Sequence, residues 1–406
     1  MSNFQVRLAF ISDLHAYHPQ RGVSGAGPSY LPANPGVADP DPFGDLDQLI
    51  DREKLCVDLL LCGGDICDQA DLRGFQYAWQ KMNALKERLS ARELIATCGN
   101  HDLNSRLIES DEDPDPKGAL QTVQPQFPFE DKNLTNHFWA RNFAIVQPVP
   151  GVSIVVLNTS AYHGGADDEH RHGRVSQRTI TAIEKELQGM GSTDLNILLC
   201  HHHVRPLQGL WTNAPDIEYM KKGGELLRAL TMRTATPWLV LHGHRHVPNL
   251  EHSNDPSVIV VGASSFSRQV QGRFNQFHVL DVEVDDGAAQ PLKGTIETWS
   301  WNRQGGWQKR PVNDDGEGFP PFCGFGSAFL PRAIVGKIRS FVGDSPDYVL
   351  WSSLVQHVPD LKFMTPTQFS QMETLLGKCN INLYRDREGN VTQVGTTKMT
   401  SMEGGK

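Results

Sequence analysis

Short apolar runs alternate with amphipathic segments along most of the chain, and this alternation predicts strands and helices in turn. The apolar runs are nearly continuous, as in strands buried on both faces, and lie at 4–12, 57–62, 93–97, 152–158, 195–200 and 237–241. Apolar residues at helical spacing fall between them at 46–54, 75–89, 176–187 and 225–231. A strand–helix alternation of this kind predicts a layered α/β core.

The remaining segments predict further strands, irregular insertions and a small separate domain. Alternating apolar and polar residues predict strands of a second, more antiparallel sheet at 257–261, 276–282 and 295–301. Residues 18–45 and 109–137 are too rich in Pro, Gly and Asp for core elements and predict long loops. We therefore expect a main domain over 1–310, a Gly/Pro-rich linker over 311–330, and an accessory domain of three helices plus a hairpin over 331–406.

Polar residues that can bind a metal follow five of the apolar runs, at the point where each predicted strand ends. These clusters are Asp13-x-His15, Gly64-Asp65, Gly99-Asn100-His101, His201 and Gly243-His244-x-His246. The carboxyl ends of strands in an α/β sheet open onto a crevice, so we expect these side chains to converge there.

The donor types indicate transition metals. Imidazole, carboxylate and one amide oxygen suit manganese, iron, zinc or cobalt better than calcium or magnesium. A lone zinc takes three or four ligands, whereas seven candidates are present: Asp13, His15, Asp65, Asn100, His201, His244 and His246. This surplus predicts two divalent ions, manganese being favoured, bridged by a shared carboxylate. The run His201-His202-His203 leaves one choice open, because His202 becomes the ligand if the strand runs one residue longer.

In their order and position the five clusters resemble the calcineurin-like metallophosphoesterase superfamily, over about residues 6–280. The resemblance implies a four-layered α-β-β-α sandwich. It also implies a first metal held by Asp13, His15, Asp65 and His246, and a second held by Asn100, His201 and His244, with Asp65 bridging. By the same resemblance His101 is the proton donor or a phosphate contact, and Asp102 orients it.

Within that superfamily, the histidine run and Gly173-Arg174-Val175-Ser176 before a predicted helix are most similar to bacterial class III cyclic-nucleotide phosphodiesterases. The resemblance implies a phosphodiesterase that acts on a nucleotide-type substrate through a metal-bridging hydroxide. We expect His202, Arg174 and Arg205, in loops that rim the metals, to contact the substrate. Two alternatives stay open: a DNA exonuclease or endonuclease of the same superfamily, and a non-catalytic protein that binds a phosphorylated ligand or serves as an adaptor through 331–406.

Composition and charge narrow these alternatives. Over 406 residues, 39% are hydrophobic and 21% charged, close to globular averages. The net charge of −9 disfavours nucleic acid and anionic membranes as partners. Seven scattered cysteines do not predict a disulfide framework, and the N-terminal segment lacks the pattern of a secretory signal, so we expect a cytoplasmic protein. The segment 331–406 carries nine basic and seven acidic residues; packing on the main domain, a protein partner and nucleic-acid contact all remain open as its role.

Overall fold

The computed structural model describes residues 4–19, 27–36, 39–106, 115–165, 169–207, 215–233, 235–252, 255, 257–285, 287–288, 290–310, 317–343, 348–386 and 389–396. The helices are α1 (Pro42–Glu53), α2 (Leu72–Arg88), α3 (Lys132–Arg141), α4 (Gln177–Gly189), α5 (Gly223–Arg233), α6 (Pro331–Val342), α7 (Trp351–His357) and α8 (Pro366–Gly377). The strands are β1 (Phe4–Ile11), β2 (Leu59–Cys62), β3 (Glu93–Ala96), β4 (Phe143–Val146), β5 (Val152–Leu157), β6 (Leu195–Leu199), β7 (Trp238–His242), β8 (Asn249–His252), β9 (Val258–Gly262), β10 (Asn275–Val284), β11 (Leu292–Asn302), β12 (Gly306–Gln308), β13 (Phe322–Phe325), β14 (Val349–Leu350), β15 (Ile381–Arg385) and β16 (Val391–Thr396).

Two mixed sheets form the main domain. The first has the order β12-β11-β10-β1-β2-β3, with β13 added to β11, and the second has the order β4-β5-β6-β7-β9-β8. In the first sheet β1, β2 and β3 are parallel, and in the second β5, β6, β7 and β9 are parallel. The carboxyl ends of these parallel strands carry the polar clusters that follow them in the sequence.

The three strands predicted at 257–261, 276–282 and 295–301 are present, but the prediction that they share a separate, more antiparallel sheet is wrong. Strand β9 pairs in parallel with β7 at the centre of the second sheet, whereas β10 pairs antiparallel with β1 and β11 in the first sheet. Alternation within a strand gives its buried face but not its neighbour. The all-buried run of β9 is typical of a central parallel strand covered on both faces.

Successive side chains in a strand of the second sheet point to opposite faces, so one face meets the first sheet and the other meets the helices. In β6, Ile197 and Leu199 join the core shared with the first sheet, while Leu198 packs against the helices outside. Those outer helices are α4 and α5, and α1 and α2 pack on the shared core from the first sheet's side. The architecture is therefore the expected four-layered α-β-β-α sandwich.

A separate apolar cluster forms the core of the C-terminal module. Helices α6, α7 and α8 and the sheet β14-β16-β15 enclose Ile334, Leu354, Met372, Leu376 and Val394. The three helices and the hairpin predicted for this segment are present. Among the described helices, none is both long and apolar enough to cross a bilayer.

The linker predicted over 311–330 contains strand β13, which pairs with β11 in the first sheet. Residues 311–316 lie outside the described part of the chain. Pro and Gly around this strand conceal it in the sequence, although Cys323 and Phe325 are both buried. The module docks here, because Gly324 N donates to Met364 O (3.0 Å) and Ser327 N to Phe363 O (3.0 Å).

The two predicted loops also contain regular structure. Helix α1 begins inside the first insertion, at Pro42, since proline suits the first turn of a helix. The second insertion holds a 3₁₀ turn at Gly118–Thr122 and the start of α3, whose N-terminus is capped by Asp131. Residues 20–26, 37–38 and 109–114 of these insertions lie outside the described ranges.

Candidate metal centre

The seven candidate ligands come together where the two sheets meet, at the carboxyl ends of β1, β2, β3, β6 and β7. In a first group, the donor atoms of Asp13, His15, Asp65 and His246 all lie within 4.8 Å of one another. His15 Nε2 lies 3.1 Å from His246 Nε2 and 3.6 Å from Asp65 Oδ2, and His246 Nε2 lies 3.3 Å from Asp13 Oδ1. These distances place four donors around one point.

A second group surrounds Asn100. Its Oδ1 lies 3.1 Å from His201 Nε2 and 3.0 Å from His244 Nδ1. His201 Nε2 is also 3.3 Å from Asp65 Oδ2, the oxygen that faces His15 in the first group. Asp65 therefore lies between the two groups, in the position that a bridging carboxylate would take.

The Nδ1 atoms of His201 and His15 make hydrogen bonds that direct the opposite nitrogen, Nε2, into the centre, as expected for a cation site. His201 Nδ1 donates to Gly63 O (2.8 Å), and His15 Nδ1 donates to Asp68 Oδ1 (3.2 Å). In a neutral ring the other nitrogen, Nε2, then carries a lone pair, and in both residues it faces other acceptor atoms in a buried site. Such lone pairs would be available to a divalent ion, and an outer hydrogen bond from Nδ1 is the usual arrangement of metal-binding histidines.

The pKa values of the two rings shift in opposite directions. Burial lowers the pKa of His15 to about 4, so its ring is neutral near pH 7 and suited to binding metal. Burial also opposes a charged His201, but the carboxylates of Asp65 and Asp13 outweigh it and raise the pKa of His201 to about 9. The field around Asp65 thus favours positive charge, which bound cations would supply.

Backbone strain is concentrated on the candidate ligands. Five of the seven adopt positive φ values although none is glycine: Asp13 (56°), His15 (51°), Asp65 (52°), His244 (78°) and His246 (56°). Such conformations cost of order 1–3 kcal/mol each and persist where the surroundings enforce them. Here they turn each side chain sharply at the end of its strand and toward the common centre.

Two motif glycines allow the strand ends to approach one another. A Cβ at Gly99 would overlap the Asp65 carboxylate and lie 2.7 Å from His201 Cε1. A Cβ at Gly243 would overlap Ser12 and the Asp13 carboxylate. Glycine is needed at both positions because the two sheets approach too closely here for any side chain.

His101 lies at the rim of the first group, but its orienting partner is not the predicted one. Its backbone N–H donates to Asp65 Oδ1 (2.7 Å), and its ring nitrogen Nδ1 lies 3.0 Å from Asp68 Oδ1. The expectation that Asp102 orients the His101 ring is wrong: that carboxylate accepts hydrogen bonds from Gly99 N (2.8 Å) and Cys67 N (2.9 Å). Asp102 instead ties the loop after β3 to the loop after β2.

Asp68 is not among the predicted site residues, although the sequence contains a signal for it. Asp68 follows Asp65 by three residues in the same loop, and its Oδ1 is shared by His15 and His101. These partners hold the pKa of the Asp68 carboxyl well below its usual range, against the effect of burial. Asp68 therefore orients one candidate ligand and the candidate acid together.

The expected substrate contacts differ in placement. His202 is fully buried, its Nδ1 is 2.8 Å from Thr159 Oγ1, and its ring centroid lies 4.2 Å from that of His244. Arg174 pairs with Glu169 (2.8 Å) and stacks over Tyr162. Arg205 is half-buried, close to the segment 208–214 that lies outside the described residues.

Comparisons with known proteins agree with this architecture. A family model described as calcineurin-like phosphoesterase matches residues 6–248, and a model described as wHTH-Calcineurin_assc matches residues 323–376. The chain is 23% identical over 211 residues to a probable cyclic nucleotide phosphodiesterase of Xenorhabdus bovienii. The aligned region covers 52% of this chain and 69% of that protein.

Two solved structures are also similar. One is the purple acid phosphatase PPD1 from yellow lupin seeds (TM-score 0.43, 14% identity, covering 80% of this chain and 54% of that chain). The other is vacuolar protein sorting 29 from Cryptosporidium parvum (TM-score 0.29, 12% identity, covering 75% of this chain and 95% of that chain). The chain spans about half the length of the lupin phosphatase.

Proposed function

Because the chain belongs to the calcineurin-like phosphoesterase family and is a phosphoester hydrolase, we propose that it is a dinuclear phosphodiesterase acting on a nucleotide-type substrate. The proposal rests on Asp65, whose Oδ2 faces ligand candidates of both groups, His15 at 3.6 Å and His201 at 3.3 Å. A site for a single ion would need no such shared carboxylate. The nucleotide-type substrate is supported by the name of the Xenorhabdus relative.

The donor set supports a specific ligand assignment. Asp13, His15, Asp65 and His246 would hold one ion, and Asp65, Asn100, His201 and His244 the other. Manganese is favoured, and iron, zinc or cobalt fit the same donors. Divalent ions bound here would neutralise phosphate oxygens and lower the pKa of water so that a nucleophile exists near neutral pH.

His101 supplies the acid in this proposal. Since its Nδ1 is directed at Asp68, proton transfer to a leaving oxygen falls to Nε2. The Asp68 contact keeps the ring in one orientation, and the backbone bond from His101 N to Asp65 holds the loop against the centre. A leaving alkoxide then departs as an alcohol.

Substituting His201 and His202 in turn tests which of the two histidines binds the metal. We expect His201→Ala to lower the metal content to about one ion per chain, because Nε2 of His201 faces both Asn100 and Asp65. His202→Ala should retain two ions, since the His202 ring packs against the ring of His244, 4.2 Å between centroids, while His201 Nε2 faces the other candidate ligands. Elemental analysis after dialysis against manganese measures both. The opposite pattern would assign the ligand to His202.

A substrate panel tests the proposed activity. Manganese-loaded protein should hydrolyse bis(p-nitrophenyl) phosphate and at least one cyclic nucleotide at a higher kcat/KM than phosphomonoesters or single-stranded DNA. A preference for DNA would favour the nuclease, and a preference for monoesters would refute the diesterase. Protein that binds two ions yet hydrolyses none of these substrates would favour the phospho-ligand-binding alternative.

The division of the chain is also a proposal. We assign the catalytic unit to the predicted 1–310 extended through β13, because β13 completes the first sheet. The module at 331–406, with its own apolar core, would be the site of a protein partner. Of the residues in α8, the exposed ones are Thr367, Ser370, Gln371, Thr374 and Gly377, an uncharged face that offers little to a polyanion.

A further inference from the structure

We propose that Arg268 is a positioning residue that holds Asp68 in the one orientation in which it serves both His15 and His101. Arg268 follows β9, beyond the part of the chain that the phosphoesterase family model matches. The inference rests on the proposed function, because it assigns Arg268 a part in proton transfer by His101.

The segment that carries Arg268 is fastened to the loop that carries Asp13 and His15. Ser265 Oγ donates to Asp13 O (2.6 Å), Phe266 N donates to Ser12 O (2.8 Å), and Ser267 Oγ donates to Leu14 O. Arg268 N in turn donates to Ser265 Oγ (2.7 Å). Successive hydrogen bonds to one short loop leave the backbone of residues 265–268 little freedom. The backbone from which the Arg268 side chain extends is therefore held in place.

The guanidinium of Arg268 contacts Asp68, the carboxylate shared by His15 and His101. Arg268 Nη1 lies 2.5 Å from Asp68 Oδ1 and 3.2 Å from His15 Nδ1. Asp68 Oδ1 thus receives Arg268 together with His15 at 3.2 Å and His101 at 3.0 Å. The Asp68 side chain is only 9% exposed and that of Arg268 25%, so water contributes little to holding the carboxylate in place.

Geometry explains why an arginine is needed. A carboxylate on a short side chain can rotate so that it serves one imidazole well and the other poorly. A charge-assisted contact from a rigid planar guanidinium is about twice as strong as a neutral hydrogen bond and fixes the position of Oδ1. Without it, we expect Asp68 to relax toward His15, which is the more deeply buried of the two rings, and to release His101.

The test compares esters that need an acid with esters that do not. For Arg268→Ala we expect kcat on diphenyl phosphate, a poor leaving group, to fall by roughly 10–100-fold, the usual effect of losing an outer partner. On bis(p-nitrophenyl) phosphate kcat should change less than about 3-fold, because p-nitrophenolate leaves without protonation. The KM values and the two-ion metal content should be retained, and Arg268→Lys should recover part of the loss.

A double-mutant cycle shows whether Arg268 acts through His101. On a His101→Asn background, Arg268→Ala should produce no further loss on diphenyl phosphate, since the group it positions is gone. Arg88→Ala is the matched control: Arg88 also pairs with carboxylates, Asp47 and Asp51, but on the exposed surface of α1 and α2.

Three results would overturn the inference while leaving the proposed function intact. They are equal losses on the two esters, additive losses in the double mutant, and a raised KM with unchanged kcat, which would make Arg268 a substrate contact. Wild-type protein that binds two ions and hydrolyses neither ester would instead refute the proposed function itself.

Discussion

Replacing Asp65 by asparagine is expected to reduce hydrolysis by more than about 100-fold and to lower the metal content below two ions per chain. The expected loss exceeds the 10–100-fold typical of an outer partner, because Asp65 would be a ligand of both ions. Its Oδ2 faces His15 and His201, while Oδ1 accepts the backbone N–H of His101. Asparagine keeps the volume but loses the charge, and its amide nitrogen cannot coordinate.

Asp71→Asn provides a matched control for this substitution. Asp71 is a buried carboxylate six residues further along, but it caps the N-terminus of α2 through Arg73 N and Gly74 N. Asparagine caps a helix about as well as aspartate and loses only the hydrogen bond from His18 N to Oδ2, so activity and metal content should stay within about 2-fold of wild type. Equal metal content in wild type and Asp65→Asn, measured by elemental analysis, would contradict the bridging role.

Much of the candidate site could be predicted from the sequence because strand ends are marked locally. An apolar run that stops at Asp13, Asp65 or His244 shows where the chain leaves the core, and parallel strands bring such points to one edge. The structure places all seven predicted ligands in two adjoining groups. Geometry also favours His201 over His202, since His201 Nε2 points to Asn100 and Asp65, whereas the His202 ring packs against the ring of His244.

The sequence could not predict features that depend on contacts between distant segments. Arg268 meets Asp68 only because the segment after β9 crosses the loop after β1, and no local pattern records that crossing. The positive φ of the ligands is likewise imposed by the surroundings. Strands β9 and β10 follow one another in the chain but enter different sheets, because periodicity specifies a buried face and not a partner strand.

His101→Asn should lower kcat on diphenyl phosphate by roughly 10²–10⁴-fold, the usual contribution of a general acid, while both ions remain bound. Metal should be retained because His101 contacts Asp65 through its backbone N–H, which asparagine preserves, whereas its ring contacts Asp68, Gln69 N and the edge of the His15 ring. On bis(p-nitrophenyl) phosphate the loss should be far smaller, since that leaving group needs no proton. Asp68→Asn should reproduce the same selectivity between the two esters if Asp68 orients the acid. Equal losses on both esters would mean that His101 binds phosphate rather than protonating the leaving oxygen, and its position beside Asp65 would then serve substrate binding alone.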